Sequence, residues 1–366
     1  MPARRRLSSI VAGVAAGIVL LLLLPRPAGR EPRLLPRWAV DVPTAATVGT
    51  ALADSAEPGL PFQLPGHIGY VSAAGDVLFQ ESVLYGASVG RDHFINYSRV
   101  SANLAVRDPR GGLVAGVVTD GYPVLSPDGA WFVAIVATGL DLFAHRSLDG
   151  QPLWRANLSA PITCISMAAD HVLLGMADGG LQLFDRDGSR RERLQLSGGA
   201  VDVVVGCSSD GGGRGAAVSG LRPQQLFVLD TEPELRITSR FELASDHRRE
   251  VPLALIPGTQ LILTAASTGT LVVDVQRGHS DVIGVSAPRQ FVSLHRDASG
   301  VPLIGGSLFA AAGEGVTPTL GIGHLAGRQR QLLVSTPALA WWLAAVDGGL
   351  LMGIDEALLR VDIQSR

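Results

Sequence analysis

The sequence contains no lysine, so all 30 of its basic residues are arginines, and they are set against 33 acidic residues. Charged residues make up only 17% of the chain and the net charge is −3. Such a balance provides no broad positive field to attract nucleic acid or an anionic membrane, so neither is predicted as a partner of the globular part. The hydrophobic content is 47%, with 44 Gly and 22 Pro, which argues against disorder and suits many short buried strands joined by tight turns.

The longest hydrophobic stretch lies at the N-terminus. Arg4–Arg6 precede a charge-free run over residues 7–24, and about 18 apolar residues can just span a hydrocarbon core. No small-residue cleavage site follows, so we expect an uncleaved signal anchor, with a cleaved signal peptide as the alternative. The globular part is then expected outside the cytoplasm, in the periplasm or at the cell surface, and a cytoplasmic domain on a reversed anchor is the other possibility. Residues 1–24 form the predicted anchor, 25–65 a Pro/Ala-rich juxtamembrane linker and 66–366 the folded domain.

A strand-and-turn pattern occurs twice between Thr119 and Leu196. Each copy has a hydrophobic strand, a Gly/Asp turn, a second strand, another turn, a third strand ending near a Phe, and an outer strand. A repeat of roughly 40 residues that holds four short strands is typical of a β-propeller blade. The sequence therefore predicts an all-β chain that folds as a single β-propeller after one N-terminal transmembrane helix.

The third strand of this pattern is the easiest to follow along the chain. It occurs at seven places, roughly 37 to 49 residues apart, which start at Asn103, Leu140, Leu181, Gln225, Thr270, Thr319 and Leu358. Seven four-stranded blades are therefore predicted, and because the Thr319 copy is weak, six or eight remain alternatives. The last copy has no outer strand after it, so we expect residues 76–81 to supply one and to close the ring.

Three short segments resemble known propeller families. Residues 162–185 resemble a WD40-type blade, with Phe184-Asp185 where that family has Trp-Asp, and residues 125–131 resemble the Ser-Pro-Asp-Gly turn of WD40-like and TolB-like propellers. Residues 149–154 look like a quinoprotein-type repeat. The chain thus resembles the WD40-like and quinoprotein-like (TolB/BamB-type) bacterial envelope propellers. By analogy, the resemblance implies a binding platform that supports membrane-protein assembly or acts as a sensor.

The sequence shows no coherent catalytic, cofactor or metal site. Gly86–Gly90 matches the Gly-x-Ser-x-Gly nucleophile elbow, but a strand follows it instead of the required helix, so Ser88 is expected on an inner strand or its turn. Cys164 and Cys207 allow at most one disulfide. We expect them on inner strands of consecutive blades, at different heights, as two small buried residues. The prediction is a protein without catalytic activity and without a cofactor.

Seven residues are candidates for contact with a partner. Adjacent strand residues point to opposite faces of a sheet, so of two neighbouring tryptophans one is free to line a rim or channel, although core packing is favoured. The arginines lie in charged turns, for which a solvated loop is the default. The candidates are Trp341, Trp342, Arg190, Arg191, Arg193, Arg248 and Arg249.

Two functions compete at this point. The favoured one is a non-catalytic protein-interaction scaffold whose partners are envelope proteins. The alternative is a ligand-binding or catalytic propeller, quinoprotein-like or lyase-like, that uses the central channel. The alternative predicts several polar or charged groups on the innermost strands, where the sequence places few apart from Asp202.

Overall fold

The structure is a computed structural model of the 366-residue chain. The parts that it describes are residues 32–42, 59–99, 102–197, 200–243, 245, 247–283, 288–294, 307–313, 319–326, 329–337, 340–354 and 356–365. The predicted anchor over residues 7–24 lies outside these residues. Among the described residues, no helix is both long and apolar enough to cross a membrane.

Short runs of β-branched and aliphatic residues separated by Gly, Pro and Asp turns form the thirty-one strands of the described residues. The first half of the chain contains β1 (Pro32–Asp41), β2 (Leu60–Leu64), β3 (His67–Val71), β4 (Val77–Ser82), β5 (Gly86–Val89), β6 (Phe94–Tyr97), β7 (Asn103–Arg107), β8 (Leu113–Val118), β9 (Tyr122–Leu125), β10 (Trp131–Ile135), β11 (Asp141–Arg146), β12 (Pro152–Asn157), β13 (Ile162–Met167), β14 (His171–Met176), β15 (Gly180–Asp185) and β16 (Arg190–Gln195).

The second half continues the same strand pattern with equally short turns. Its strands are β17 (Val201–Ser209), β18 (Arg214–Leu221), β19 (Gln224–Asp230), β20 (Arg236–Leu243), β21 (Leu253–Leu255), β22 (Leu261–Ala266), β23 (Gly269–Asp274), β24 (His279–Ile283), β25 (Pro288–Leu294), β26 (Ser307–Gly313), β27 (Thr319–Ala326), β28 (Gln329–Pro337), β29 (Ala340–Val346), β30 (Gly349–Ile354) and β31 (Ala357–Ser365).

These strands form antiparallel sheets that serve as the blades of a propeller. Seven sheets have four strands each, as predicted: β5–β8, β9–β12, β13–β16, β17–β20, β21–β24, β25–β28, and β29–β31 with β1. All seven third-strand positions found in the sequence are third strands of these sheets. An eighth sheet, β2–β4, has three strands among the described residues. We number the blades 1 to 8 from β2–β4 to β29–β31.

Blade 1 is the blade that the sequence count missed. Only three residues separate β4 from β5, the first strand of blade 2, and in the other blades such a short link follows a fourth strand. Strand β4 therefore runs in the direction of a fourth strand, and β2 and β3 run in the directions of a second and a third strand. Residues 43–58, which precede them, lie outside the described part. Strand β2 lies against β29 and β30, so the first and last blades are neighbours.

The ring closes through a different strand from the one predicted. Strand β31 pairs with β1, with a register that runs from Pro32 opposite Ser365 to Asp41 opposite Ala357. The assignment of residues 76–81 to this closure is therefore wrong, because β4 belongs to blade 1. The predicted linker over residues 25–65 also includes two strands, β1 and β2. The prolines of this segment indicated a linker, but the outer edge strand β1 accommodates Pro36 at an irregularity in the pairing.

Apolar side chains between neighbouring blades form the core. One cluster joins blades 8 and 1 through Phe62, Leu64, Leu351 and Leu358. Another joins blades 3 and 4 around Trp131, which has no exposed surface and donates its indole N–H to a carbonyl of blade 4 over 3.0 Å. Burial in this fold therefore ties each blade to the next one.

The two cysteines meet in the cluster between blades 4 and 5. Both are free thiols, Cys164 buried and Cys207 half-buried, and they belong to the same apolar cluster. They were expected at different heights; instead, their side chains share this cluster, and the Cys207 thiol lies close enough to contribute to the raised pKa of the Cys164 thiol.

The direction of the strands gives the propeller two distinct faces. We call the side that carries the links between consecutive blades, such as residues 83–85, 119–121 and 158–161, the link face. The opposite face carries the turns between the first and second strands of each blade, such as residues 126–130 and 168–170.

Candidate interaction surface

An exposed aromatic group on the link face is the most distinctive surface feature of the described residues. Tyr85 ends the link between blades 1 and 2, Tyr97 ends β6, and Tyr122 begins β9. Three of the four tyrosines of the chain thus converge at the junction of blades 2 and 3. Leu84, which precedes Tyr85, is 68% exposed, and Tyr85 itself is 52% exposed.

The three rings contact one another directly. The centroids of Tyr85 and Tyr122 are 6.2 Å apart in a stacked arrangement, and Tyr97 lies 6.2 Å from Tyr85 and 6.1 Å from Tyr122. These separations fall in the range for favourable aromatic pairs. The guanidinium of the exposed Arg99 lies 6.0 Å from the centroid of the Tyr85 ring, at the outer limit for a cation–π contact. We call Leu84, Tyr85, Tyr97, Arg99 and Tyr122 the tyrosine patch.

Asn96 holds the link that carries the exposed part of the patch. Its side chain is buried, and its Oδ1 accepts a hydrogen bond from the backbone N–H of Leu84 at 3.0 Å. Its Nδ2 donates to Glu81 Oε1 at 2.6 Å and to the carbonyl of Ser82 at 2.8 Å. The backbone N–H of Tyr85 also donates to the carbonyl of Tyr97 at 3.1 Å. The link is therefore fixed before any partner arrives, which reduces the ordering cost of binding.

Gly86 leaves room for the middle ring of the patch. A Cβ atom at this position would lie 2.4 Å from the hydroxyl oxygen of Tyr97 and 2.6 Å from Cζ of the same ring. No L-side chain fits there unless Tyr97 moves. Glycine next to Tyr85 is therefore a packing requirement of the patch.

The phenol of Tyr97 is neutral at physiological pH. Partial burial raises the pKa of Tyr97, and the neighbouring hydroxyls of Tyr85 and Tyr122 raise it further. The Tyr97 hydroxyl can therefore both donate and accept a hydrogen bond. Tyrosine, which combines an apolar ring with a polar hydroxyl, and arginine are both enriched where proteins bind other proteins.

Trp342 of the predicted tryptophan pair does not provide a surface anchor. Trp342 is half-buried and packs in the cluster between blades 8 and 1, with its Cβ 3.6 Å from the position that a side chain on Gly353 would take. Core packing, the favoured alternative for the pair, is what the structure shows for Trp342. Trp341 lies on β29, and its side chain lies outside the described part.

The predicted arginines do not converge either. Arg193 lies at the link face, where it is ion-paired with Asp178 and donates to the hydroxyl of Ser159. Arg190 and Arg191 begin the outer strand β16 at the opposite face. Arg248 and Arg249 are exposed in the link between blades 5 and 6. The candidate arginines are spread over both faces, on the outer strand of blade 4 and in the link between blades 5 and 6.

The serine of the elbow-like sequence supports the junction of blades 2 and 3. Ser88 lies on the inner strand β5, as predicted, and its hydroxyl accepts a hydrogen bond from the backbone N–H of Leu125 at 2.9 Å. That contact spans two blades and lies in a strand, so the strained strand-to-helix turn of a nucleophile elbow is not formed here.

A second arrangement, not foreseen from the sequence, combines an acid, an imidazole and a hydroxyl. His171 Nδ1 lies 2.8 Å from Asp170 Oδ1, and its Nε2 lies 2.6 Å from Ser209 Oγ. The order of atoms matches that of a hydrolase triad. His171, however, has 0% exposure, so no leaving group can reach its Nε2 to receive a proton. We interpret the trio as a polar clasp between blades 4 and 5.

Sequence reasoning missed the tyrosine patch because its members lie far apart in the chain. A signal was nevertheless present: tyrosine is scarce, and all three residues stand at a boundary between a strand and a turn. Such positions place an aromatic ring at the rim of a blade and not inside it.

The fold is similar to that of several solved structures. BamB from Moraxella catarrhalis matches with a TM-score of 0.58 at 15% identity, over 90% of this chain and 100% of that one. A chain from a crystal structure of the mitotic checkpoint complex matches with a TM-score of 0.55 at 14% identity, over 92% and 94% of the two chains. The computationally designed Ika8 protein matches with a TM-score of 0.61 at 13% identity, over 90% and 100%. At these identities the likeness shows the fold alone.

Comparison by sequence gives one positive result. No protein with curated annotation matches the chain. A family model described as "beta-propeller protein" matches residues 4–291, which is most of the chain. The chain therefore belongs to this β-propeller family.

Proposed function

We propose that this propeller is a non-catalytic protein-interaction scaffold of the cell envelope, anchored by residues 7–24, that binds a partner protein through the tyrosine patch. The observation that carries the proposal is the contact cluster of Tyr85, Tyr97 and Tyr122 at the link face, in which the exposed Tyr85 stands beside the exposed Leu84 and Arg99. The fold shared with BamB supports a protein-interaction scaffold at a coarse level.

The patch has the composition of a binding hot spot. Hot spots are enriched in Tyr and Arg, and truncating such a residue commonly costs at least about 2 kcal/mol of binding free energy. The largely exposed Leu84 and Tyr85 have no function within the core that explains their position. Because the hydrogen bonds of Asn96 fix the link, these side chains are presented in one arrangement.

Site-specific photo-crosslinking in cells tests this proposal. A photoreactive amino acid is placed at Leu84 in the full-length tagged protein, and at Leu148 as the control. Leu148 is 69% exposed and lies between β11 and β12 on the opposite face. We expect one discrete partner adduct from position 84 and none from position 148.

The dependence on the tyrosines makes the test specific. We expect the combined Tyr85→Ala and Tyr122→Ala substitutions to reduce the adduct from position 84 at least tenfold, with the melting temperature within a few degrees of the parent's. No adduct at position 84, or an adduct that persists without the two tyrosines, would contradict the proposal. Equal crosslinking from position 148 would contradict the assignment to the link face.

The anchor is tested separately by fractionation. We expect the full-length protein in the membrane fraction after high-salt and carbonate washes, and a version without residues 1–24 in the soluble fraction. Protease added to cells with a permeabilised outer layer should degrade the folded part of the full-length protein. A full-length protein that stays in the soluble fraction would rule out anchoring, and protection from the protease would rule out an extracytoplasmic domain.

A ligand in the central channel is the second candidate function. Asp202 on β17 favours it, since its Oδ1 is buried and has no hydrogen-bond partner among the described residues. Asp202 and Arg289 are, however, the only charged residues in the sequences of the described inner strands β5, β9, β13, β17, β21, β25 and β29. A thermal-shift screen of small ligands against the full-length protein, with Asp202→Asn as the control, tests this candidate. A stabilising ligand whose effect is lost in the variant would support it, and no shift with any ligand would count against it.

A further inference from the structure

The inner strands of blades 4 and 5 are held together at fixed positions. The hydroxyl of Thr163 on β13 donates to the carbonyl of Val204 on β17 over 2.5 Å, and the hydroxyl of Ser166 accepts the backbone N–H of Ser209 at 3.0 Å. Cys164 lies between the two β13 residues and Cys207 between the two β17 residues. These two contacts hold together the strand segments that carry the cysteines, whose side chains share one apolar cluster.

The surroundings of the two sulfurs are apolar and shared. Strand β14 adjoins both cysteines, since Cys164 is paired with Gly175 and Cys207 Sγ lies 3.6 Å from the carbonyl oxygen of Leu173. Leu173 also packs in the same cluster as the two cysteines. Burial raises the pKa of the Cys164 thiol well above its usual value, and a hydrogen bond with the Cys207 thiol raises it further.

We propose that Cys164 and Cys207 form a disulfide that covalently joins blades 4 and 5 in an oxidising compartment. Two thiols lose two protons and two electrons as the S–S bond forms. The oxidant is another disulfide, either of a small thiol or of a thiol–disulfide oxidoreductase, and it is reduced to two thiols. The exchange passes through a mixed disulfide.

The burial of the two residues indicates the order of the exchange. Cys207 is the more exposed of the pair, so it forms the mixed disulfide with the oxidant and releases one thiol. Cys164 then attacks the Cys207 sulfur and releases the second thiol. Because Cys164 is buried and its thiolate is disfavoured, this step is slow in the folded protein and fast while the chain is still folding.

The chain is well suited to a decisive test, because it contains only two cysteines. Any intramolecular disulfide must therefore join Cys164 to Cys207. The full-length protein is exported to an oxidising compartment, denatured in acid without reductant and alkylated, and its mass is measured with and without prior reduction. We expect no alkyl groups before reduction and two after it, with a monomeric mass in both cases.

A second arm does not depend on where the protein is located in the cell. Reduced, purified protein is unfolded, refolded with oxidised glutathione and alkylated in the same way. We expect the disulfide in the parent and a stable mixed disulfide with glutathione in Cys164→Ser. Closing a loop of roughly 40 residues in a chain of this size should raise the melting temperature by about 5 °C. The Cys164→Ser and Cys207→Ser double variant should show no shift between oxidising and reducing buffer.

The outcomes separate this inference from the proposed function. Two alkylated thiols in both the exported and the refolded protein would overturn the disulfide, as would a disulfide-linked dimer without an intramolecular bond. Neither result would affect crosslinking through the tyrosine patch, which lies at another junction between blades. A disulfide in the refolded protein but not in the exported one would show that the geometry allows the bond but that the bond does not form in the exported chain, which would also overturn the proposal.

Discussion

Closure of the ring by β1 and β31 makes a strong prediction about Ile363. This residue is fully buried, faces Leu34 across the closing pair of strands, and packs in a cluster with Met352 and Val361. Replacing a buried isoleucine by alanine costs roughly 2–5 kcal/mol, since both transfer free energy and packing contacts are lost. We expect Ile363→Ala to lower the free energy of unfolding by about 3 kcal/mol.

A thermal melt measures this effect. With an unfolding entropy of roughly 2 cal/mol/K per residue, a loss of about 3 kcal/mol lowers the melting temperature of a chain this long by about 4 °C. Gln364→Ala is the matched control, because Gln364 is the next residue of the same strand and is exposed. We expect its melting temperature to change by less than about 1 °C.

Two results would refute the reasoning about closure. Equal melting temperatures for the parent and Ile363→Ala would show that β31 contributes less to stability than its burial implies. A cooperative melt from a chain ending after Ala357, at a temperature close to the parent's, would show the same for the whole strand. That truncation removes three buried side chains, Leu358, Val361 and Ile363, which together contribute roughly 5–9 kcal/mol out of a usual total of roughly 5–15 kcal/mol.

Four further substitutions probe the tyrosine patch and the junctions between blades. Gly86→Ala should displace Tyr97 and weaken partner crosslinking from position 84 by about tenfold, while the melting temperature falls by only a few degrees; unchanged crosslinking would contradict the packing role of the glycine. Trp131→Phe removes the indole hydrogen bond to blade 4 and should lower the free energy of unfolding, measured in urea, by about 2 kcal/mol. A decrease below about 0.5 kcal/mol would contradict a stabilising role for that bond. His171→Ala should lower the free energy of unfolding by about 3 kcal/mol and Ser209→Ala by about 1 kcal/mol. Equal stability of the parent and both variants would argue against a structural clasp.

The sequence predicted the repeating part of the fold well because the third strands have a strong pattern. Strands such as β19 and β23 lie between two partners and are buried almost throughout, so they appear as unbroken apolar runs near an Asp. The pairing of β1 with β31 could not be predicted in this way. Its partners lie at opposite ends of the described chain, and residues 76–81 and residues 32–41 both contain a short apolar run next to charged residues.

The first blade and the tyrosine patch were missed for related physical reasons. Strand β2 is short, contains Pro61 and is followed by Pro65, so its composition resembled that of a linker. The patch depends on how blades 2 and 3 are placed against each other, and periodicity within one blade carries no information about that placement. The arginine-rich turns were predicted as candidate contacts from their composition alone. Composition carries no information about the ion pair between Arg193 and Asp178.

The hydroxyl groups of the inner strands explain why this propeller shows motifs of catalysis without the geometry. Ser88 accepts a backbone N–H from blade 3, and Thr163 and Ser166 form hydrogen bonds with blade 5. Hydrogen bonds of this kind satisfy backbone groups at the junctions, where the ladder of a single sheet cannot reach them. These hydroxyls therefore have a structural role at the junctions between blades. We therefore expect Ser88→Ala to lower the free energy of unfolding by about 1 kcal/mol and to leave partner crosslinking unchanged, and loss of an activity together with full stability would reverse this interpretation.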